Sequence, residues 1–132
     1  MRHDEFSHQL AVATHIRFSY PNICWTASCG GMRTSMGTAK KMKMMGYIRG
    51  CPDIMIFEPR GGKHSLFIEL KVPAIPKIQK AGKISPWQAE FLEKLQANGF
   101  EAVIAFGARE AIEVIDDYMA WARPGWTKNI KL

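Results

Sequence analysis

The stretch from Cys51 to Lys71 constrains the fold more than any other. It holds two apolar runs, Ile54-Met55-Ile56-Phe57 and Ser65 to Val72, separated by Glu58-Pro59-Arg60-Gly61-Gly62-Lys63. Runs of this length bounded by Gly and Pro read as two strands joined by a turn. The first run is unbroken, as in a strand covered on both faces. Charges enter only at the ends: Asp53 before the first strand, and Glu69 and Lys71 late in the second. Side chains alternate with period two along a strand, so the parity of the turn decides whether these charges meet. With the turn centred on Gly61, Asp53 lies directly across from Glu69 and Lys71 shares their face. With a simple two-residue turn of Gly61-Gly62, Asp53 faces Leu70 and Glu69 points to the other side. An odd-length loop or a bulge is therefore predicted. Charges that interrupt apolar strands are costly to bury unpaired, so they call for a compensating partner.

The remaining chain reads as elements around this hairpin. Asp4 to Tyr20 is predicted as a helix with Glu5, Gln9, Val12 and Ile16 on one face, ended by Pro21. Ile23 to Thr26 is a short β-prone run. Thr34 to Met45 is predicted as a helix with Lys40, Lys41 and Lys43 on a solvated face and Met36, Met42, Met44 and Met45 on a packed one. Residues 73–84 carry Pro73, Pro76, Gly82 and three lysines, and read as an exposed flexible loop. Ser85-Pro86 opens a further helix, with Ser85 as N-cap and Phe91, Leu92 and Leu95 as its apolar face. Phe100 to Phe106 is a strand. Ala108 to Ala122 is a final helix with Ile112, Ile115 and Met119 inward. The order α-β-α-β-β-α-β-α implies a small α/β fold, a mixed sheet flanked by helices, in one domain spanning 1–132. Its core is expected over 4–122, with a short basic tail over 123–132 in which Trp126 is a possible anchor.

Charge is unevenly placed. Between Phe6 and Ala89 there are twelve Lys and Arg but three acids, Asp53, Glu58 and Glu69; from Glu90 to Asp117 seven acids face only Lys94 and Arg109. A cationic zone of this kind suits a polyanion. Two of its three acids belong to the hairpin cluster, where they would repel such a partner unless a cation sat between them. Paired carboxylates beside a lysine are what Mg²⁺-assisted phosphodiester cleavage uses. The three cysteines, Cys24, Cys29 and Cys51, have no metal-ligand spacing. No apolar run reaches a membrane span, and the polar N-terminus leads to the expectation of a cytoplasmic protein without membrane partners or a small-molecule cofactor.

Five pieces of the chain, in order, resemble the VRR-NUC family of the PD-(D/E)xK nuclease superfamily, in its stand-alone, phage-type form. They are Glu5-x-x-x-Gln9, Gly50-Cys51-Pro52-Asp53, Phe67-Ile68-Glu69-Leu70-Lys71, Ile84-Ser85-Pro86-Trp87-Gln88 and the closing stretch from Phe100 to Met119. The resemblance implies a restriction-endonuclease-like fold and Mg²⁺ or Mn²⁺ held by Asp53, Glu69 and the Leu70 backbone carbonyl. Glu5 would reach the metal directly or through water. Lys71 would be the catalytic lysine, Gln88 would join the catalytic set, and Gln9 and Ser85 would line the site. It further implies a homodimer cutting branched DNA such as four-way junctions. Flap cleavage, restriction-type cleavage or a non-catalytic nucleic-acid-binding module are the alternatives. Arg33, Lys40, Lys41, Lys43, Arg49, Lys77, Lys80 and Lys83 are the candidate phosphate contacts. Cys29 stands where family members often have Asn before the Gly30-Gly31 pair.

Overall fold

The computed structural model describes residues 4–28 and 35–124. Arg33, the Cys29-Gly30-Gly31 loop and Trp126 lie outside the described residues. Within them the order is α1 (Glu5–Ser19), β1 (Trp25–Ala27), α2 (Met36–Met44), β2 (Ile54–Ile56), β3 (Leu66–Lys71), α3 (Pro86–Ala97), β4 (Glu101–Phe106) and α4 (Ala108–Ala120). This is the order read from the sequence. The strands form one sheet in the order β1-β2-β3-β4, antiparallel across β1, β2 and β3 and parallel between β3 and β4. The parallel pair is reached by a crossover through α3, as parallel neighbours require.

The sheet is covered on both sides. Ile54, Ile56, Leu66, Ile68 and Leu70 pack with Val12 and Ile16 of α1 and with Ala111, Ile115 and Tyr118 of α4. Phe67 and Ala102 pack with Leu92 of α3. Alternation along β3 thus sends even-numbered residues toward α1 and α4, and odd-numbered ones toward α3. The α4 face differs slightly from expectation. Ala111 and Tyr118 are buried with Ile115 and Met119, while Ile112 is only half-buried.

Hairpin parity is settled by a bulge. The strand body pairs Ile54 with Ile68 and Ile56 with Leu66. The tip pairs Arg60 with Lys63 around Gly61-Gly62. Phe57-Glu58-Pro59 on one side therefore faces only His64-Ser65 on the other, one extra residue in the first strand. The end of α4 holds the bulge. Tyr118 Oη donates to the Glu58 carbonyl at 2.6 Å, Arg60 Nη1 donates to the Met119 carbonyl at 2.7 Å, and Gly61 N–H donates to the Ala122 carbonyl at 2.8 Å. The Glu58 carboxylate, almost buried, pairs with Arg60 and Arg123 at 3.2 Å each. It is a structural charge, distant in role from Asp53 and Glu69.

Two loop and helix expectations are corrected. Residues 73–84 are tied down: Ile75 and Gln79 form a β-bridge, Gln79 Nε2 donates to the Pro73 carbonyl at 2.8 Å, and Gly82 N–H donates to the Val72 carbonyl at 2.9 Å. The methionines of α2 do not form a packed face. No residue of α2 is buried, and Met36, Met44 and Met45 are 92%, 78% and 80% exposed. Apolar spacing in a short helix does not by itself create a surface for it to meet.

Candidate active site

Asp53 follows a glycine that nothing else could replace easily. Gly50 has φ +91°, and a Cβ there would stand 2.7 Å from the Trp87 carbonyl oxygen. This close approach seats the Gly50-Cys51-Pro52-Asp53 segment against the first turn of α3. Asp53 is then fixed from both sides. Its carbonyl accepts from Ser28 N–H at 2.9 Å, and its Oδ2 accepts from Leu70 N–H at 2.7 Å.

Glu69 lies on β3 with 2% of its side chain exposed. Its Oε1 accepts from Gln88 Nε2 at 2.8 Å and lies 3.5 Å from Lys71 Nζ. Its Oε2 is buried with no N–H or hydroxyl donor, and the Glu69 carboxyl shares a hydrogen bond with the Asp53 carboxyl only when a proton is between them. Gln88 is oriented by the helix it begins. Ser85 Oγ accepts from Gln88 N–H at 3.2 Å, and Gln88 Oε1 accepts from Ser85 N–H at 2.9 Å, a reciprocal capping box. With Oε1 committed to the cap, Nε2 is the end left to face Glu69. Ser85 thus acts on the site through Gln88.

Lys71 is held at its main chain and its stem. Its carbonyl accepts from Gly107 N–H at 2.8 Å. A Cβ on Gly82 would stand 3.3 Å from Lys71 Cβ, so the 73–84 loop lies against the lysine.

Electrostatics tie the acids together. Burial raises the Asp53 carboxyl above its usual range, against the Leu70 N–H and the Lys71 charge, which favour ionisation. Burial, then repulsion by Asp53, pushes Glu69 up to about 8, with Lys71 opposing. Glu5 is raised by burial and then by Asp53, again opposed by Lys71. Glu5 therefore shares the field of the pair. Among the described residues no group of three or more His, Cys, Asp and Glu is placed to hold a metal ion.

These features fit a hard divalent cation. One lysine does not neutralise two facing acids, and Glu69 Oε2 has no donor besides the Asp53 carboxyl. The side-chain donors brought together are the Asp53 and Glu69 carboxylates, both oxygen. Mg²⁺ accepts such a sparse oxygen set and retains waters, whereas zinc favours His and Cys.

The other predicted residues divide. Gln9 is half-buried on α1, and its Nε2 is buried without a partner. Arg49 lies at the α3 entrance with its guanidinium 3.9 Å from the centre of the Trp87 ring. Lys40, Lys41, Lys43, Lys77, Lys80 and Lys83 are all exposed. Sequence reasoning missed the Leu70 N–H as a ligand of Asp53 and the Gly50–Trp87 contact. A glycine three residues before the aspartate was the available signal for the second.

No family model matches the chain. No curated protein matches it either. Among solved structures, one described as a "VRR_NUC domain protein" superposes with a TM-score of 0.69 at 25% identity, covering 93% of this chain and 94% of that one. The fold is thus the restriction-endonuclease-like α/β arrangement of a mixed sheet between helices. With this likeness running almost end to end in both chains, the structure supports placing the chain in the VRR-NUC family, the family its motifs resemble.

Proposed function

We propose that the chain is a Mg²⁺- or Mn²⁺-dependent endodeoxyribonuclease. One observation carries the reading: the half-buried Asp53 and buried Glu69 carboxyls, facing each other with no donor for Glu69 Oε2 besides Asp53, stand beside Lys71 on a VRR_NUC-type fold. Bound there, the cation would supply Lewis-acid activation of the phosphodiester and lower the pKa of water. Asp53 and Glu69 would hold it with the Leu70 carbonyl, and Glu5 would reach it directly or through water. Lys71 would bring a positive charge toward the attacking water and the charge developing on phosphate. Gln88 keeps the Glu69 carboxylate from turning. The exposed Lys40, Lys41, Lys43, Lys77, Lys80 and Lys83, with Arg49, provide the cationic surface that a DNA backbone requires. No recognition-helix or zinc-finger pattern accompanies them, which favours weak sequence readout.

The finer reading follows the motif resemblance: branched DNA as substrate, four-way junctions first, cut by a homodimer in paired nicks. The test uses a labelled four-way junction, a flap and a linear duplex, each with Mg²⁺ or EDTA, with wild type and Asp53→Ala. Cutting that needs metal, favours the junction and is lost in Asp53→Ala is expected. Preference for the flap, or for one linear sequence, would move the substrate assignment to the flap-type or restriction-type alternative. Binding without metal-dependent cutting of any substrate would leave a non-catalytic module and end the nuclease reading.

A further inference from the structure

A groove of about 500 Å³ runs between α1 and β1. That volume falls in the range of small-molecule sites, roughly 300–1,000 Å³. Phe6, Leu10, Ala13 and Arg17 form its α1 wall at helical spacing, one residue out of step with the Glu5-Gln9-Val12-Ile16 stripe. Trp25, Thr26 and Ala27 of β1 form the other wall. The Arg17 guanidinium lies 5.8 Å from the centre of the Trp25 ring. Gln9, with its buried and unpartnered Nε2, also lines the groove. No acid lines it.

The groove adjoins the acids. Phe6 follows Glu5, which senses Asp53. Ala27 pairs with Ile54, and Ser28 N–H donates to the Asp53 carbonyl. Both walls therefore end next to residues that fix or feel Asp53. Phe6 and Leu10 are 71% and 50% exposed, so the aromatic and aliphatic lining is open to a ligand.

We propose that this groove binds an unpaired nucleotide of the DNA substrate, its base on the Phe6–Trp25 lining and its phosphate toward Arg17. The chemistry selects that occupant over others. Base faces stack on aromatic rings, and a cation with no acid beside it in the groove suits a phosphate. The proposal deepens the nuclease reading and rests on DNA being the substrate. It favours a substrate with a single-stranded segment, as the flap alternative has, over a fully paired junction or duplex.

The experiment measures anisotropy of a fluorescein-labelled duplex carrying an unpaired dT segment, and of the same duplex fully paired. Ca²⁺ replaces Mg²⁺, and the proteins are wild type, Phe6→Ala, Arg17→Gln and Trp25→Ala. Phe6→Ala and Arg17→Gln alter exposed side chains, so they keep the test valid even if Trp25→Ala, which touches the core, fails to fold. The expected result is a loss of about 10-fold in affinity for the unpaired substrate, with the paired duplex changed by less than about 2-fold. Equal losses on both substrates, or no loss on either, would overturn the proposal. So would sedimentation showing that Phe6→Ala splits a dimer, because a second copy would then fill the groove. The two readings fail separately. If wild type cuts nothing with Mg²⁺ yet the binding difference holds, the groove stands and the nuclease reading falls. If cutting depends on Asp53 but no variant discriminates, the groove assignment alone falls.

Discussion

The Asp53 carboxylate accepts the backbone N–H of Leu70 at 2.7 Å, across the strand from the residue beside Glu69. One hydrogen bond thereby locks the loop before β2 to the strand that carries the second acid. The two carboxyls are held together although both are raised by burial and Glu69 also by Asp53. Their proximity is a cost to the metal-free fold, sustained by the surrounding contacts.

That cost predicts a gain of stability on removing charge. An acid whose folded pKa lies above its unfolded value costs stability as pH rises past the unfolded value, and the cost is complete above the folded one. For Glu69 the window runs from its ordinary carboxyl range to about 8. Metal-free wild type should therefore lose thermal stability between pH 5 and about 8. Asp53→Asn keeps an acceptor for Leu70 N–H and can offer a donor to Glu69. It should be more stable near pH 8 by about 1 kcal/mol or more, roughly 2–8 °C in melting temperature, while losing cleavage. Calorimetry in EDTA across that range decides; a lower melting temperature for Asp53→Asn would count against a strained pair.

Gln88 has two jobs that two substitutions separate. Gln88→Ala removes half of the capping box and the donor to Glu69, and should cost about 0.5–2 kcal/mol as well as activity. Gln88→Glu can still accept the Ser85 N–H, but it brings a third negative charge against Glu69. It should be less stable at pH 8 than at pH 5, with cleavage reduced at least as much as in Gln88→Ala. Denaturant unfolding at the two pH values, beside cleavage rates, distinguishes cap from site. Wild-type cleavage by Gln88→Glu would show that the amide does not orient Glu69.

Gly50→Ala tests the seat of the Asp53 loop. Its backbone conformation, φ +91°, strains any L side chain, and the new Cβ would meet the Trp87 carbonyl. A cost of about 1–3 kcal/mol is expected, with cleavage falling further than the lost folded fraction explains. Unfolding curves together with rates at a temperature where the variant remains folded provide the comparison. Unchanged activity there would mean that the loop can leave α3 without disturbing the carboxylates.

Arg49 stacks on Trp87 and so presents its charge in a fixed place. If it contacts phosphate, Arg49→Gln should lower the slope of log affinity against log salt by about 0.9. Arg49→Lys retains the charge but loses the planar stacking, and should weaken binding less while leaving the slope near that of wild type. Titrations across salt concentrations read both quantities. Identical slopes for wild type and Arg49→Gln would remove Arg49 from the DNA surface.

Much of this was legible in the sequence, for identifiable reasons. Strand and helix order followed from apolar periodicity bounded by Pro and Gly, and the Ser85-Pro86 start followed from cap chemistry. The parity argument called for an odd-length loop or a bulge, because a regular two-residue turn would part Asp53 and Glu69; a bulge is what the hairpin has. The methionines of α2 misled, since helical spacing reports a face and not whether a neighbour covers it. The order in residues 73–84 was also invisible. It rests on Gln79 reaching the Pro73 carbonyl and on the Ile75–Gln79 bridge, neither of which leaves a periodic trace. The Phe6-Leu10-Ala13-Arg17 stripe could have been read beside its neighbour; attention to the first apolar face concealed the second.

The extra residue in Phe57-Glu58-Pro59 bears on how such a chain can change in length. Losing one codon there would give a more regular ladder, Arg60 to Lys63 continuing without interruption into the strand body. The body pairs Ile56–Leu66 and Ile54–Ile68 would keep their register through that loss, so Asp53 and Glu69 would stay on one side of the sheet. The bulge therefore serves as anchorage and not as register: a deletion that takes Glu58 should leave the two acids opposite each other and loosen the hairpin from α4, which grips the Glu58 carbonyl through Tyr118.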